Sequence, residues 1–272
     1  MSLIYCAGAG RKSMAVARSC GWLPGLRSDE QCADEHRPVY LLDSHWERYD
    51  WPRHVAMARA ERPALVVVPD VMTPAGLPLA LAQAEEIAPY ATVAVVIVPK
   101  LPGIAEQIPL CIGGRPVRLA YSVPTRYGGA TVAMWEFGRR PVHLLGGSPS
   151  NQVKLAHWLN VVSADGNMSG KVSRWGIVFE ANGKRRTVAD IDGARWPADA
   201  DLPYEALRRS LVNIPALWRR AGFEVSVREE SKGEVQSEVR GGAATAGGWL
   251  SHDPAGDIAG DHGCGGARRW RR

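Results

Sequence analysis

Short apolar or β-branched runs recur along the chain, and segments with helix-compatible patterns separate them. The hydrophobicity of each run is continuous rather than alternating, as is typical of parallel strands that are buried on both faces. The runs predict seven strands, at residues 3–7, 38–42, 64–68, 92–98, 117–121, 142–145 and 161–163. The predicted helices lie at residues 13–20, 51–60, 77–88, 132–137 and 151–159. Strands that alternate with helices indicate βαβ units.

The chain length and the number of these units favour an α/β fold, a (β/α)8 barrel of the TIM type. Such barrels need about 250 residues, and this chain has 272. The eighth strand is ambiguous. Residues 176–180 are one candidate, although they can also pair with residues 185–190 as a hairpin across Asn182-Gly183. Residues 223–227, which follow a predicted helix at 204–221, are the other candidate.

The composition of the chain changes near residue 226. Beyond it Gly, Ala, Glu and Arg dominate, with few β-branched residues and no hydrophobic periodicity. A segment of this kind buries too little apolar surface to form a core. We therefore predict a catalytic barrel domain at residues 1–225 and a disordered, low-complexity tail at residues 226–272.

Charge and cysteine content limit the partners, cofactors and cellular location that we expect for the protein. The net charge of +5 is a weak preference for polyanions. The five cysteines are scattered, and neither a CxxC pair nor a His/Cys cluster with zinc spacing is found, so we predict no disulfide framework, metal or other cofactor. The longest apolar runs are too short to span a bilayer, and the N-terminus has no signal-peptide pattern. We expect a cytoplasmic protein that does not bind membranes.

Polar residues or glycines follow the predicted strands where each strand ends. The residues at these ends are Asp43, Asp70, Lys100, Ser122, Gly146, Gly147 and Asp165. Because a (β/α)8 barrel builds its active site from the carboxyl ends of its strands, we expect these residues to share one rim. A single aspartate there could simply be a helix N-cap, but three on one rim are harder to explain by capping alone.

Clustered carboxylates can divide a reaction between them. One can attack as a nucleophile while another transfers protons, because burial and mutual repulsion separate their pKa values. A glycosidic carbon suits this arrangement, since a carboxylate can trap it as a covalent intermediate. Asp165 is the candidate nucleophile. Glycine-rich turns such as Gly146-Gly147 allow backbone amides to approach a flat ligand closely.

The segment Pro-Val-His-Leu-Leu-Gly-Gly-Ser-Pro at residues 141–149, followed by Ser-Ala-Asp-Gly-Asn at 163–167, resembles the guanine transglycosylase superfamily. This superfamily contains the queuine tRNA-ribosyltransferases and their relatives that act on DNA, and its members are α/β barrels. They carry a Leu-Leu-Gly turn that holds the base and an aspartate nucleophile one strand later. Asp43-Ser44 matches the first half of their DSGG-like motif.

The resemblance implies a role for each rim residue. Asp165 would attack C1′ of the sugar, Asp43 would manage protons on the leaving and entering bases, and Asp70 would hydrogen-bond the purine edge. The Gly146 and Gly147 amides would hold the purine carbonyl. We place Lys100, His45 and Ser122 with Asp70, Gly146 and Gly147 among the substrate-binding residues.

Departures from the family pattern refine the expected substrate. His45 and Trp46 replace the Gly-Gly of the tRNA enzymes, Lys100 stands where they have glutamine, and their zinc site is missing, since Cys264 and His262 alone cannot rebuild it. These differences favour the DNA-modifying relatives, often found in bacteriophages, which insert a 7-deazaguanine derivative. We expect DNA as the partner in preference to tRNA, and a homodimer is compatible with the sequence.

Basic residues in the loops after strands predict a surface that follows the nucleic-acid backbone. They are Arg11, Lys12, Arg126 and Lys171. Ordinary solvated charge is the alternative. His45 could line a pocket that stacks a base or could simply pack, and His143, inside an apolar strand, is predicted to be a core histidine.

Two other functions remain open on the sequence. One is a different barrel enzyme that acts on a small phosphorylated substrate, which would hold its phosphate at the loops after strands six to eight. The other is an inactive barrel that binds nucleic acid. Gly8-Ala9-Gly10 also suggests a dinucleotide-binding turn, but the third glycine of that fingerprint is absent, so a compact barrel loop is favoured.

Overall fold

The computed structural model describes residues 1–8, 10–45, 48–125, 129–193 and 201–226, which belong to one unit, Met1–Glu230. The tail predicted at 226–272 lies outside these residues beyond Ser226. The strands of the described part are β1 (Ser2–Cys6), β2 (Leu23–Arg27), β3 (Leu41–Asp43), β4 (Leu65–Val67), β5 (Ala94–Ile97), β6 (Cys111–Ile112), β7 (Arg115–Ser122), β8 (Val142–Leu145), β9 (Val161–Gly166), β10 (Ile177–Phe179) and β11 (Arg185–Thr187).

Eight of these strands form a closed parallel barrel. The order around it is β1-β2-β3-β4-β5-β7-β8-β9, and each neighbouring pair is parallel. Closure is made by β9 against β1, where Ser163 is paired with Ser2 and Asp165 with Ile4. The predicted α/β barrel is confirmed. The short strand β6 lies outside the ring and pairs antiparallel with β7.

Helices connect the strands and surround the ring. They are α1 (Arg11–Ser19), α2 (Trp51–Glu61), α3 (Gly76–Ile87), α4 (Pro149–Ala156), α5 (Met168–Ser173), α6 (Val188–Asp192) and α7 (Leu202–Arg220). The helix predicted at 132–137 is a single 3-10 turn, Met134–Phe137. Local sequence explains where α2 and α4 begin, because Asp50 and Ser148 accept hydrogen bonds from the backbone N–H three residues later and a proline follows each cap.

The strands bury side chains on both faces, which explains their continuous hydrophobicity. One apolar cluster fills the inside of the barrel and contains Ile4, Leu41, Leu65, Val67, Ala94, Val96, Val98 and Ala120. The alternate residues of the same strands, such as Leu42, Val66 and Val95, belong to a larger cluster that reaches α1 through Met14 and α7 through Trp218.

Neither candidate for the eighth strand is correct, because the missing strand is β2. Its Leu-Pro-Gly-Leu-Arg sequence is typical of a turn, yet Gly25 is required by packing. A Cβ on Gly25 would lie 2.4 Å from Cys6 Sγ and 2.9 Å from Ile4 Cγ2. The hairpin alternative for residues 176–180 is confirmed, since β10 pairs antiparallel with β11. At the end of the second candidate, Ser226 makes only an isolated bridge to Ser2.

Within the described residues, no helix is both long enough and apolar enough to cross a membrane.

Candidate functional site

The carboxyl ends of the barrel strands carry a ring of polar groups. Cys6, Asp43, Ser122 and Asp165 lie at the ends of β1, β3, β7 and β9, while Asp70 and Lys100 follow β4 and β5. Parallel strands in a closed ring place all these ends at the same mouth. The structure therefore brings together the three aspartates that the sequence singled out, and the charges of Asp165 and Asp70 both act on Asp43.

Asp165 is held by donors on two neighbouring strands. Its Oδ1 accepts the Gly146 N–H at 2.9 Å, and its Oδ2 accepts the Cys6 thiol at 3.2 Å. The residue is 8% exposed. The Gln152 side-chain amide donates to the carbonyl oxygens of Gly146, at 2.7 Å, and of Asp165, at 2.6 Å. The carboxylate is thereby fixed in direction at the barrel mouth.

His143 is fully buried inside the barrel beside Asp165. Its Nε2 lies 3.5 Å from Asp165 Oδ1, and its Nδ1 lies 2.9 Å from Ser163 Oγ. Arg118 donates to the same Ser163 oxygen at 3.2 Å. The prediction of a core histidine agrees with its burial but misses its contact with the candidate nucleophile. That contact follows from pairing, because His143 is the neighbour of Ser163 on β9 and Asp165 points to the same side two residues later.

The pKa of Asp43 is raised to about 7. Burial is the main cause, and the negative charges of Asp165 and then Asp70 add to it. The Ser44 N–H, which donates to Asp43 Oδ1 at 2.8 Å, and the charge of Arg27 oppose the shift. A carboxyl with this pKa can both give and take a proton near neutral pH, as general acid–base catalysis requires.

Asp70, Lys100 and Ser122 form a second group on the rim. Lys100 Nζ lies 3.1 Å from Asp70 Oδ2 and donates to Ser122 Oγ at 2.5 Å. Burial raises the pKa of Asp70, although the charge of Lys100 acts against the rise. The group presents an anchored cation beside a carboxylate, which suits a ligand edge that carries an acceptor next to a donor.

Cys6 is a rim residue that the sequence does not reveal, since it lies within the apolar run that predicts the first strand. Burial raises the pKa of its thiol well above the usual value, and the charge of Asp165 adds to the effect. The group therefore stays a thiol, which donates a hydrogen bond, rather than a thiolate nucleophile. Its position at the end of the first strand, on the same face as Ile4, is the sequence feature that could have predicted a rim residue.

The Gly146-Gly147 turn is shaped by backbone conformation and packing. Both glycines have positive φ, 64° and 78°. A Cβ on Gly147 would lie 2.3 Å from Val123 Cγ1, whereas one on Gly146 would meet open space. The Gly146 N–H, expected to hold a purine carbonyl, donates in the structure to Asp165, so it orients the carboxylate of the candidate nucleophile.

The residues predicted to bind the nucleic-acid backbone lie in different environments. Arg11 makes a two-pronged ion pair with Glu35, and Lys12 is bonded to Asp201 and lies over the Tyr204 ring. Their charges are thus compensated within the chain. Lys171 lines a cleft beside the rim.

Three further residues from the sequence analysis lie at or beyond the edge of what the structure describes. Arg126 and Trp46 are outside the described residues. His45 is half-buried, and its Nδ1 accepts the Arg48 N–H at 3.2 Å. Across the described ranges, no group of three or more His, Cys, Asp or Glu side chains is placed to hold a metal ion.

Fold and site together define a parallel α/β barrel with a carboxylate-rich mouth. The chain belongs to the family of unknown function DUF6610, whose profile matches residues 17–219. The match runs from α1 to α7 and includes every rim residue named above except Cys6. No curated protein matches the chain.

Proposed function

We propose that this protein is a guanine transglycosylase, an enzyme that exchanges guanine for a 7-deazaguanine derivative in nucleic acid, with DNA preferred over tRNA. The observation that carries the proposal is the pair of unlike carboxyls at the barrel mouth. Asp43 has a pKa near 7, while Asp165 is held by the Gly146 N–H and the Cys6 thiol. Two carboxyls in such different environments can act as proton donor and nucleophile in one reaction.

In the proposed reaction Asp165 and Asp43 each act twice, once as the guanine leaves and once as the deazaguanine enters. An Asp165 oxygen attacks C1′ and forms an ester bond to the sugar, while the bond from C1′ to the guanine nitrogen breaks and its electron pair leaves with the base. Asp43 supplies the proton that neutralises the leaving guanine. The entering deazaguanine then loses a proton to Asp43, and its nitrogen displaces Asp165 from C1′. Atoms and charge balance in both steps with the protein, the nucleic acid and the two bases alone.

The second rim group suits recognition of guanine. The Watson–Crick edge of guanine carries the O6 acceptor beside the N1–H donor, and the N2 amino donor follows. Lys100 can donate to O6, and Asp70 can accept from N1–H, because Lys100 Nζ and Asp70 Oδ2 are already 3.1 Å apart. Ser122 keeps the Lys100 ammonium in place through its hydroxyl. By the resemblance, Lys100 would stand where the tRNA enzymes have glutamine, and it would offer the base a charged donor.

The test is exchange of radiolabelled guanine into duplex DNA or tRNA. We expect the wild-type protein to incorporate label, and Asp165→Asn to lose more than ~10³-fold of the rate, because the amide cannot attack C1′. Asn has the same size and keeps an oxygen for the Gly146 N–H, so the variant should fold. Mass spectrometry of the wild type should detect a sugar attached to Asp165.

The matched control is Asp34→Asn, at a carboxylate whose side chain is 92% exposed and is not one of the rim residues. This variant should exchange guanine at the wild-type rate. Wild-type exchange by Asp165→Asn would remove that residue from its role. Absence of incorporation into both DNA and tRNA by the wild-type protein would reject the proposed function.

A further inference from the structure

A cleft of about 640 Å³ opens beside the rim, and the exchange chemistry leaves it without a role. It lies between the end of β1, the short helix α5 and the beginning of α7. Cys6 belongs to its wall and also donates to Asp165 at 3.2 Å. The cleft is therefore next to the candidate nucleophile, where the substrate around the reacting sugar must lie.

Two cations at the end of α5 line the cleft. Lys171 lies in the last turn of α5, Arg174 is its C-cap three residues later, and both are exposed. In the described part of the chain, neither makes an ion pair with a carboxylate. By contrast, Arg11 and Lys12, at the start of α1, are each paired with one. The two α5 cations thus keep their capacity to bind an anion.

The remaining charges of the cleft cancel. Arg27 and Glu30 both line it, and Arg27 Nη2 lies 2.9 Å from Glu30 Oε1. The positive charge that a ligand meets therefore comes from Lys171 and Arg174. Polar hydroxyls of Tyr5 and Ser13 lie on the same surface. An ammonium and a guanidinium one helical turn apart are suited to a phosphate, whose oxygens accept several charge-assisted hydrogen bonds.

The wall opposite α5 is less polar. It is formed by Pro203, Tyr204 and Leu207 at the start of α7. A ligand that fits both walls carries a phosphate on one side and a less polar sugar or base on the other. A nucleotide has this composition.

We infer that the cleft binds the phosphate of a nucleotide through Lys171 and Arg174, with the sugar or base of that nucleotide against the α7 wall. The inference rests on the proposed function, which makes this phosphate the phosphodiester next to the exchanged guanosine. A small phosphorylated substrate would offer the same phosphate chemistry at the end of the eighth barrel strand. The experiment must therefore separate a strand from a free nucleotide.

Binding of a fluorescent single-stranded oligodeoxynucleotide with one central guanine can be measured by anisotropy at several salt concentrations. The competitors are deoxyguanosine 5′-monophosphate, deoxyguanosine and inorganic phosphate. We expect the monophosphate to compete and deoxyguanosine not to. Lys171→Ala and Arg174→Ala should each weaken oligonucleotide binding about tenfold. Each should also reduce the slope of log affinity against log salt by about one.

Lys154→Ala on α4 and Arg219→Ala on α7 are the matched controls, since both side chains are exposed and neither lines the cleft. They should bind as the wild type does. Thermal unfolding of the double variant Lys171→Ala/Arg174→Ala checks that the fold is intact. Wild-type affinity and salt slope in that folded double variant would overturn the inference.

The outcomes separate the cleft from the proposed reaction. If guanine exchange occurs but the double variant keeps the wild-type KM for DNA, the phosphate site is wrong and the exchange function stands. If the monophosphate binds through the two cations while oligonucleotides do not bind and no exchange is seen, the phosphate site stands. In that case the transglycosylase function is wrong, and the protein acts on a small phosphorylated substrate.

Discussion

Aspartate occurs in three different environments at the barrel mouth, and the environments decide what each carboxyl can do. Asp165 is oriented by the Gly146 N–H and the Cys6 thiol. Asp70 faces Lys100. For Asp43, burial and the charge of Asp165 raise the pKa to about 7. Residue type alone could not distinguish these roles, since all three are Asp at a strand end.

The raised pKa of Asp43 predicts a dependence of stability on pH. An unfolded aspartate ionises near pH 4, while the folded one holds its proton until about pH 7. The folded state therefore binds the proton more tightly. The stability that Asp43 contributes is complete below about pH 4, decreases above it and is lost once the pH passes about 7.

Asp43→Asn should remove this dependence because its amide stays neutral. We expect the free energy of unfolding of Asp43→Asn, relative to the wild type, to rise by about 2 kcal/mol between pH 5 and pH 8. Urea unfolding at both pH values measures it, and Asp34→Asn should follow the wild type. Parallel stability curves for wild type and Asp43→Asn would contradict the assigned environment of Asp43. Guanine exchange should fall in the same variant, because it lacks a transferable proton.

At the scale of elements, β2 shows how packing can override local sequence preference. Pro24 and Gly25 predict a turn, but the segment is a strand between β1 and β3. Glycine is required at position 25 because Cys6 and Ile4 of β1 leave no room for a Cβ there. Hydrophobic patterning does not predict this strand, because packing against the neighbouring strand requires glycine where a strand usually has a larger residue.

Gly25→Ala should destabilise the protein by about 1–3 kcal/mol, because the methyl group would overpack the barrel against Cys6 Sγ and Ile4 Cγ2. Urea unfolding gives the difference. Gly76→Ala is the control at a glycine that begins α3, where the nearest outside atom to an added Cβ is 3.4 Å away. We expect this control to be neutral or slightly stabilising, since alanine is the better helix former. Equal stability of Gly25→Ala and wild type would show that β1 and β2 can separate at this point.

At the scale of the whole molecule, closure of the ring by β9 against β1 gives the protein both its core and its site. The buried residues of the interior layer come from β1, β3, β4, β5 and β7, so a cavity at one point weakens contacts between several strands. Ile4 lies in that layer, fully buried, beside Asp165 on the next strand. The polar mouth lies directly above this apolar layer, which lowers the local dielectric and accounts for the raised pKa of Asp43.

Ile4→Ala should cost about 2–5 kcal/mol of unfolding free energy, because it leaves a cavity inside a closed ring. Denaturant unfolding followed by fluorescence measures the loss, and a single transition is expected since the barrel belongs to one compact unit. Val212→Ala on α7, where the side chain is 53% exposed, is the control and should change stability by less than about 0.5 kcal/mol. A loss of that small size for Ile4→Ala would indicate that the barrel interior is loosely packed.

Seven of the eight barrel strands could be predicted from sequence, and so could the carboxylates at their ends. Both follow from local rules: a strand buried on two faces needs a continuous apolar run, and parallel strands end on the same side. Cys6, His143 and Gln152 could not be assigned to the site in this way. Their roles depend on which strand is the neighbour of which, and that order appears only when the ring closes.

The amino-acid sequence by itself determined the class of fold and the inventory of acidic groups, because hydrophobic periodicity acts over a few residues and is independent of the rest of the chain. Only the tertiary structure decided the proton affinity of Asp43, the orientation of Asp165 and the identity of the eighth strand. Each of these depends on groups that are far apart in sequence. Electrostatic interaction, burial and packing are determined by the distances between atoms in the folded chain.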